Sequence, residues 1–197
     1  EAEAAFIAQK IKNLHDEEGI LYSDIVILLR AMTKVDYYEN ALNCSGIPCN
    51  VVDGKGFYGR QEIIDFINLM TVCADSRRNL ELAGVLRSPY FAVDDETLTA
   101  LFFELQDNAD KYESLWQVLQ SGTYPEYLAE TEKGKLNRCS GVLKQIYDAS
   151  MSLPLTDLFS FIEQILNLNA VIAAQPGGEE KNANLKKLFA LAAEFCL

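Results

Sequence analysis

One short stretch near the start of the chain, residues 24–30, constrains the fold more than any other. It reads Asp-Ile-Val-Ile-Leu-Leu-Arg, an unbroken apolar run that is followed by a full positive charge at Arg30. A strand that is apolar at every position is typical of parallel sheets that are covered on both faces. Ligands of such sheets collect at the carboxyl ends of the strands, where Arg30 is expected to lie. Because its guanidinium is planar and always charged, Arg30 is a candidate phosphate ligand.

The segments on either side of this strand predict a partial α/β domain. An amphipathic helix is expected over residues 2–18, and a second helix over about 35–44. Gly46 and Pro48 then close the second helix and lead into a short apolar strand over 49–52. Strand, helix and strand with short connections form a βαβ unit with short parallel strands, and its crossover is normally right-handed.

After Arg60 the pattern changes to helical periods that are separated by turn signals. The expected helices cover about 63–70, 80–86, 94–105, 136–149, 154–166 and 178–195. Gly122, Pro125 and Gly134 interrupt the pattern, so a domain seam is predicted between residues 1–115 and 116–197. The predicted fold class is therefore a partial α/β unit followed by a mainly α-helical subdomain, predominantly α overall.

Composition excludes several classes of function. Of the 197 residues 49% are apolar, which is typical of a globular protein, and the formal net charge is −12. Such a charge argues against a surface that holds nucleic acid by bulk electrostatics. The five cysteines form no Cys-x-x-Cys pair and there is one histidine, so we predict no metal site and no Ser-His-Asp triad. Free thiols and the absence of a membrane-length apolar run favour a cytoplasmic protein without membrane contact.

The residues alone do not assemble a complete active site. A phosphate could be cradled by the loop 54–56, Gly-Lys-Gly, but the strand and helix context of a P-loop is missing, and a plain turn explains the glycines better. Phe57 and Tyr58 could stack on a base, although adjacent aromatics at such a junction more often belong to a core. On this evidence the chain is a helical module on a partial α/β scaffold.

Several sequence blocks follow one another in a fixed order along nearly the whole chain. They are Asp24–Arg30, Tyr38–Leu42 with Gly46–Pro48, Phe57–Asp65 (Phe-Tyr-Gly-Arg-Gln-Glu-Ile-Ile-Asp), Val85–Phe91 (Val-Leu-Arg-Ser-Pro-Tyr-Phe), and Pro176–Gly178 with Asn182–Leu185. In combination they resemble the UvrD/Rep/PcrA family of superfamily 1 DNA helicases, and within it the AddA/RecB type. The block at 24–30 resembles motif IV of that family.

This resemblance implies a specific place in a larger enzyme. Residues 1–115 would be part of the RecA-like domain 2A, and residues 116–197 part of the helical domain 2B that is inserted into it. Arg30 would contact the γ-phosphate of ATP, with Mg²⁺ as the second cofactor of the parent protein, and would be the catalytic residue of this segment. Candidates for DNA contact are Phe57, Tyr58, Arg60 and Arg87.

The resemblance also implies partners and an activity. The parent would be an ATP-dependent DNA helicase of the bacterial cytoplasm, possessing an exonuclease and acting in double-strand-break repair and recombination. Its partners would be DNA, the missing domain 1A, the rest of 2A and a second nuclease or helicase subunit. The chain has no Walker A lysine and no Walker B acid, so the isolated piece is expected to be inactive, with no cofactor bound. The alternative is a non-catalytic helical protein–protein interaction module, which the acidic surface and the incomplete site favour.

Overall fold

The computed structural model describes residues 2–30, 34–49, 51 and 57–194. The chain divides into two compact units, an N-terminal unit (Glu1–Gly59) and a C-terminal unit (Arg60–Leu197). Across the described residues the protein is predominantly helical, as the sequence predicts. None of the described helices is long and apolar enough to span a membrane.

The N-terminal unit is built on two helices. Its described elements are α1 (Ala2–Glu18), a 3₁₀ turn (Tyr22–Asp24), α2 (Val35–Cys44) and a second 3₁₀ turn (Phe57–Gly59). Gly19 ends α1 with a positive φ of 69°, and its N–H donates to the carbonyl of His15 at 3.1 Å. The small core between the two helices consists of Ala8, Ile11, Leu42 and Ile47, with Ile7, Tyr22, Ile25, Ile27, Ala41 and Cys49 packed around it.

The predicted first strand is extended but does not pair with another strand among the described residues. Ile25 has the backbone angles of a strand, and Ile25 and Ile27 pack on the core. Val26 and Leu28 point the other way, with 76% and 91% of their surface exposed. Burial therefore alternates with the period of two that an extended chain requires. The apolar run is covered on one face and not on both, because no second layer packs on it in the described part of the chain.

The second predicted strand, over 49–52, lies partly outside the described residues, as does the whole Gly54-Lys55-Gly56 loop. The residues that precede and begin this strand are described, and Ile47 and Cys49 pack on the same core as Ile25. The structure thus brings both segments to one core, while the βαβ ladder itself is not formed by the described residues.

The C-terminal unit consists of a run of helices joined by short turns. In chain order they are α3 (Gln61–Ala74), α4 (Asn79–Arg87), α5 (Asp95–Asp107), α6 (Leu115–Ser121), α7 (Glu130–Ser150), α8 (Leu155–Ile165), α9 (Leu168–Ala173) and α10 (Gly178–Glu194). The predicted N-cap of α5 is confirmed, because the Asp94 carboxylate accepts the N–H of Thr97 at 2.7 Å.

The sequence pattern missed two helices in this unit and misplaced the end of α3, which continues to Ala74, and the start of α7. Helix α7 begins at Glu130, before the predicted residue 136, because the helix runs through Gly134 at a cost of about 1 kcal/mol relative to alanine. Helices α6 and α9 were not predicted. Next to the predicted seam, the N–H of Leu115 donates to the side chain of Asn79 at 2.8 Å, and α5 packs on α6. The division at residue 115 concerns subdomains of a larger protein and stays a prediction.

Three phenylalanines join α3, α8 and α10. The ring of Phe66 on α3 lies 5.1 Å from that of Phe159 and 4.8 Å from that of Phe189, measured between centroids. Phe159 and Phe189 are themselves 4.8 Å apart. Tilted and edge-on arrangements at these distances are the favourable ones for aromatic pairs. Because Phe66 is fully buried, it forms the centre of this part of the core.

Candidate functional site

Arg30 lies at the end of the extended apolar segment, and its predicted place at the edge of a parallel sheet stays a prediction. Its side chain is exposed and makes no hydrogen bond or ion pair with the residues that the structure describes. In the alternation of the segment it is in phase with Val26 and Leu28, on the exposed face. The planar, always charged fork of Arg30, which meets no partner among the described residues, has the geometry that suits a phosphate.

The two aromatic candidates of the N-terminal unit differ in exposure. Phe57 is 9% exposed and Tyr58 is 56% exposed, and their rings meet edge-on with centroids 5.2 Å apart. Phe57 therefore behaves as a core residue. The ring of Tyr58 is accessible for stacking.

The two arginine candidates of the C-terminal unit are both paired with acids. Arg60, just before α3, places Nη1 3.3 Å from Oε1 of Glu180 in the first turn of α10. Arg87, in the last turn of α4, forms an ion pair with Asp95 through two contacts, Nε to Oδ1 at 2.9 Å and Nη2 to Oδ2 at 3.1 Å. The Arg87 pair is largely exposed, with 68% and 72% of the two side chains accessible, so water competes with it.

A buried acidic pair, Glu62 and Asp65 on α3, is a feature that the sequence reasoning missed. Their exposed fractions are 5% and 4%, which is unusual for carboxylates. Gln61 donates to Asp65 through Nε2 at 2.7 Å, and Asn184 of α10 donates to Glu62 through Nδ2, also at 2.7 Å. The available signal was the position of both acids, three residues apart, within the apolar stretch of α3.

The electrostatics of the acidic pair follow from its burial. Burial raises the pKa of Asp65, the charge of Glu62 adds to this, and the hydrogen bond from Gln61 and the charge of Lys181 oppose it. Nearby, burial and the same two carboxylates raise the pKa of Tyr90. The Tyr90 hydroxyl is buried and has no hydrogen-bond partner among the described residues. Ionisation of Asp65 therefore works against folding.

Replacement of Asp65 by asparagine is expected to change how stability depends on pH. The Asp65 carboxyl has a pKa of about 3.9 in unfolded chains and a higher pKa in the folded state. Its contribution to folding stability is therefore fully present below about pH 3.9 and is lost as the pH rises through the folded-state pKa. Asp65→Asn keeps an acceptor for Gln61, so its stability relative to the parent chain should grow from about pH 4 to pH 7. Denaturant titrations followed by Trp116 fluorescence measure this, with the exposed Asp110→Asn as control. A difference that shrinks with rising pH would contradict the expectation.

A cavity of about 270 Å³ lies on the C-terminal unit and is lined by Tyr90, Phe91, Lys135, Arg138, Cys139, Val142, Ile165 and Leu166. Burial raises the pKa of Cys139 to about 11 in spite of the nearby Lys135 and Arg138, so its thiol is not a nucleophile at neutral pH. No three His, Cys, Asp or Glu side chains in the described part of the chain are arranged to hold a metal ion. Around this cavity, the described residues offer charged and apolar groups that could bind a ligand.

Comparison with protein families assigns the chain as a whole. A family model described as the UvrD-like helicase C-terminal domain matches residues 1–196. The chain belongs to this family. The resemblance that the sequence blocks carry is thereby confirmed, including its AddA-type character, which the similarity to individual relatives supports.

The relatives of this UvrD-like chain are much longer proteins. It is 28% identical over 203 residues to an ATP-dependent helicase/nuclease subunit of Streptococcus pyogenes serotype M5 (strain Manfredo). The match to the protein of the same description from serotype M3 (strain ATCC BAA-595 / MGAS315) has the same identity and length. Each match covers 98% of this chain and 16% of the relative, so the chain spans about a sixth of their length.

Proposed function

We propose that this UvrD-like chain is a segment of an ATP-dependent DNA helicase, in which Arg30 contacts the γ-phosphate of ATP. The observation that carries the proposal is the position of Arg30, exposed and without an internal partner among the described residues, at the end of an extended apolar segment. A cation fixed at that point stabilises the charge that develops on a transferring phosphoryl group. ATP and Mg²⁺ supply the phosphoryl chemistry when they are bound to the complete protein. The chain's own contribution is the charge and position of the guanidinium.

The open face of the N-terminal unit supports a sheet that is completed by other parts of the parent protein. Val26 and Leu28 expose apolar side chains on adjacent outward positions of one segment. A pair of such residues beside a phosphate-binding arginine is a normal feature of a strand that is covered on both faces. We assign the missing strands and the second layer to the remainder of domain 2A, and the opposing wall of the nucleotide site to domain 1A.

DNA contact is proposed for the exposed candidates first. Tyr58 is available for stacking, and Arg87 is exposed enough to exchange Asp95 for a phosphate. Phe57 and Arg60 have weaker support, because one is buried and the other faces Glu180. The helices from residue 116 onward are proposed to form the 2B domain, which contacts duplex DNA and regulates unwinding.

The proposals of a nuclease and of a partner subunit rest on the descriptions of the relatives. Their description as a helicase/nuclease subunit implies a nuclease activity and at least one further subunit for those proteins. We propose the same arrangement for the parent of this chain: a helicase that carries an exonuclease, pairs with a second protein and repairs double-strand breaks in the bacterial cytoplasm.

A helical protein–protein interaction module is the second candidate function. Its specific support is the net charge of −12, together with large apolar side chains exposed on the C-terminal unit, namely Leu80, Tyr127 and Met151. Such a module would bind a protein partner without nucleotide or DNA.

Measurements of ATP turnover separate the two functions. The 197-residue chain alone is expected to show no turnover above buffer, with or without DNA, because it lacks the Walker motifs. A longer protein that includes the chain is expected to show turnover that DNA stimulates. Turnover by the chain alone would overturn the assignment of roles, and a longer protein without DNA-stimulated turnover would favour the interaction module.

A further inference from the structure

Two sequence blocks that lie far apart in the chain meet in the C-terminal unit. The first is Arg60–Asp65 at the start of α3, and the second is Glu180–Leu185 in the first half of α10. We propose that they form a polar latch, which clamps the N-terminal half of α10 onto the start of α3. The polar latch consists of Arg60, Glu62 and Asp65 on one side and Glu180, Lys181 and Asn184 on the other.

Three side chains of the first block, those of Arg60, Glu62 and Asp65, interact with the second block. Arg60 and Glu180 are 3.3 Å apart, and Asn184 donates to Glu62 at 2.7 Å. Lys181 acts on Asp65 through its charge and opposes the effect of burial on the pKa of that carboxyl. Positions 180, 181 and 184 share one helix face with the buried Leu185. One face of α10 therefore places its acid, base and amide opposite the arginine and the two acids at the start of α3.

Because Glu62 and Asp65 are buried, the donors that contact them must stay in place. Glu62 and Asp65 are almost inaccessible to water, so a displaced α10 would leave the Glu62 carboxylate without the amide that now donates to it. A buried acceptor that loses its donor costs its full desolvation penalty. Apolar contacts such as that of Phe66 with Phe189 can adjust by small shifts, whereas the hydrogen bond from Asn184 to the buried Glu62 carboxylate depends on a fixed geometry. The polar latch thus adds specificity that the aromatic contacts do not provide.

Helix α10 needs such a clamp because little of it is buried. Of its described residues, Gly178 and Leu185 are the buried ones, and the rest are half-buried or exposed. Gly178 lies so close to α9 that a Cβ there would come within 2.5 Å of the Ile172 carbonyl oxygen. The close contact at Gly178 and the polar latch both act on the first two turns. The N-terminal half of α10 therefore has its own contacts, in addition to those of Phe189 in the second half.

The test replaces Asn184 by alanine, a good helix former that cannot donate to Glu62. Hydrogen exchange of the chain's amides in α10 is expected to accelerate roughly tenfold or more, while α4 to α6 keep their rates. Adding Glu62→Gln to Asn184→Ala should restore most of the protection, because a buried neutral amide costs less than a buried carboxylate. The matched control is Asp95→Ala, which breaks an exposed ion pair. It should change the hydrogen-exchange rates of the α10 amides by no more than about twofold.

A second pair of variants tests the polar latch without the acidic pair. Arg60→Glu and Glu180→Arg each place like charges together and should speed exchange in α10, and the double variant should restore protection. Unchanged exchange in α10 for Asn184→Ala, or an equal acceleration in α4 to α6, would overturn the proposal. Failure of the charge-reversed double variant to recover would also count against it.

Discussion

Replacement of Arg30 by alanine, in a longer protein that carries this chain, is expected to lower the rate of ATP turnover by about a hundredfold or more. The reason is electrostatic, because the guanidinium would stabilise charge that develops on the transferring phosphoryl group, and alanine offers nothing in its place. The fold should not change, since Arg30 is exposed and has no partner among the described residues. The measurement is steady-state turnover with saturating DNA, together with the thermal unfolding of both proteins.

Arg30→Lys sharpens this test. Lysine supplies the charge without the planar two-pronged donor, so it should recover part of the lost rate and not all of it. The 197-residue chain provides a control without nucleotide, because exposed substitutions usually change the free energy of unfolding by no more than about 0.5 kcal/mol. A sharp fall in the melting temperature of Arg30→Ala would instead make Arg30 structural. Full turnover by the alanine variant would remove the assignment to ATP.

Local sequence signals predicted most of the helices. Turn residues and apolar periodicity act within a few residues, and they place the end of α1 at Gly19 and the N-cap of α5 at Asp94. They also predict a first apolar segment that is covered on both faces, whereas in the described residues only its Ile25 and Ile27 side packs on a core. Local signals fail at Gly134, where packing along a 21-residue helix outweighs the low helix propensity of glycine.

Contacts between distant segments could not be predicted in the same way. Asn184 and Glu62 are separated by 122 positions, and nothing in either block names the other as its partner. Arg60 illustrates the consequence, since a lone arginine next to aromatic residues favours a DNA-contact hypothesis until Glu180 is placed beside it. For the βαβ unit the situation is reversed. Its local pattern is present in the sequence, but the strand pairing that would complete it does not occur among the described residues.

Replacement of Phe66 by alanine is expected to lower the free energy of unfolding of the C-terminal unit by about 3–5 kcal/mol. Phe66 is fully buried and its ring contacts both Phe159 and Phe189, so its removal leaves a cavity between α3, α8 and α10. The only tryptophan, Trp116, lies on α6 in the same unit, so denaturant titration followed by its fluorescence reports on that unit. Phe103→Ala on α5 is the matched control, because that ring is 53% exposed and should cost far less.

The same variant distinguishes the aromatic core from the polar latch. Loss of Phe66 removes contacts of three helices at once, so hydrogen exchange should accelerate throughout the C-terminal unit and not in α10 alone. Asn184→Ala should act on α10 alone, because it leaves the three rings in place. The free energy of unfolding of Phe66→Leu should lie between those of the parent chain and Phe66→Ala, since leucine fills part of the cavity. A loss for Phe66→Ala no larger than that for Phe103→Ala would mean that α3, α8 and α10 do not share one core.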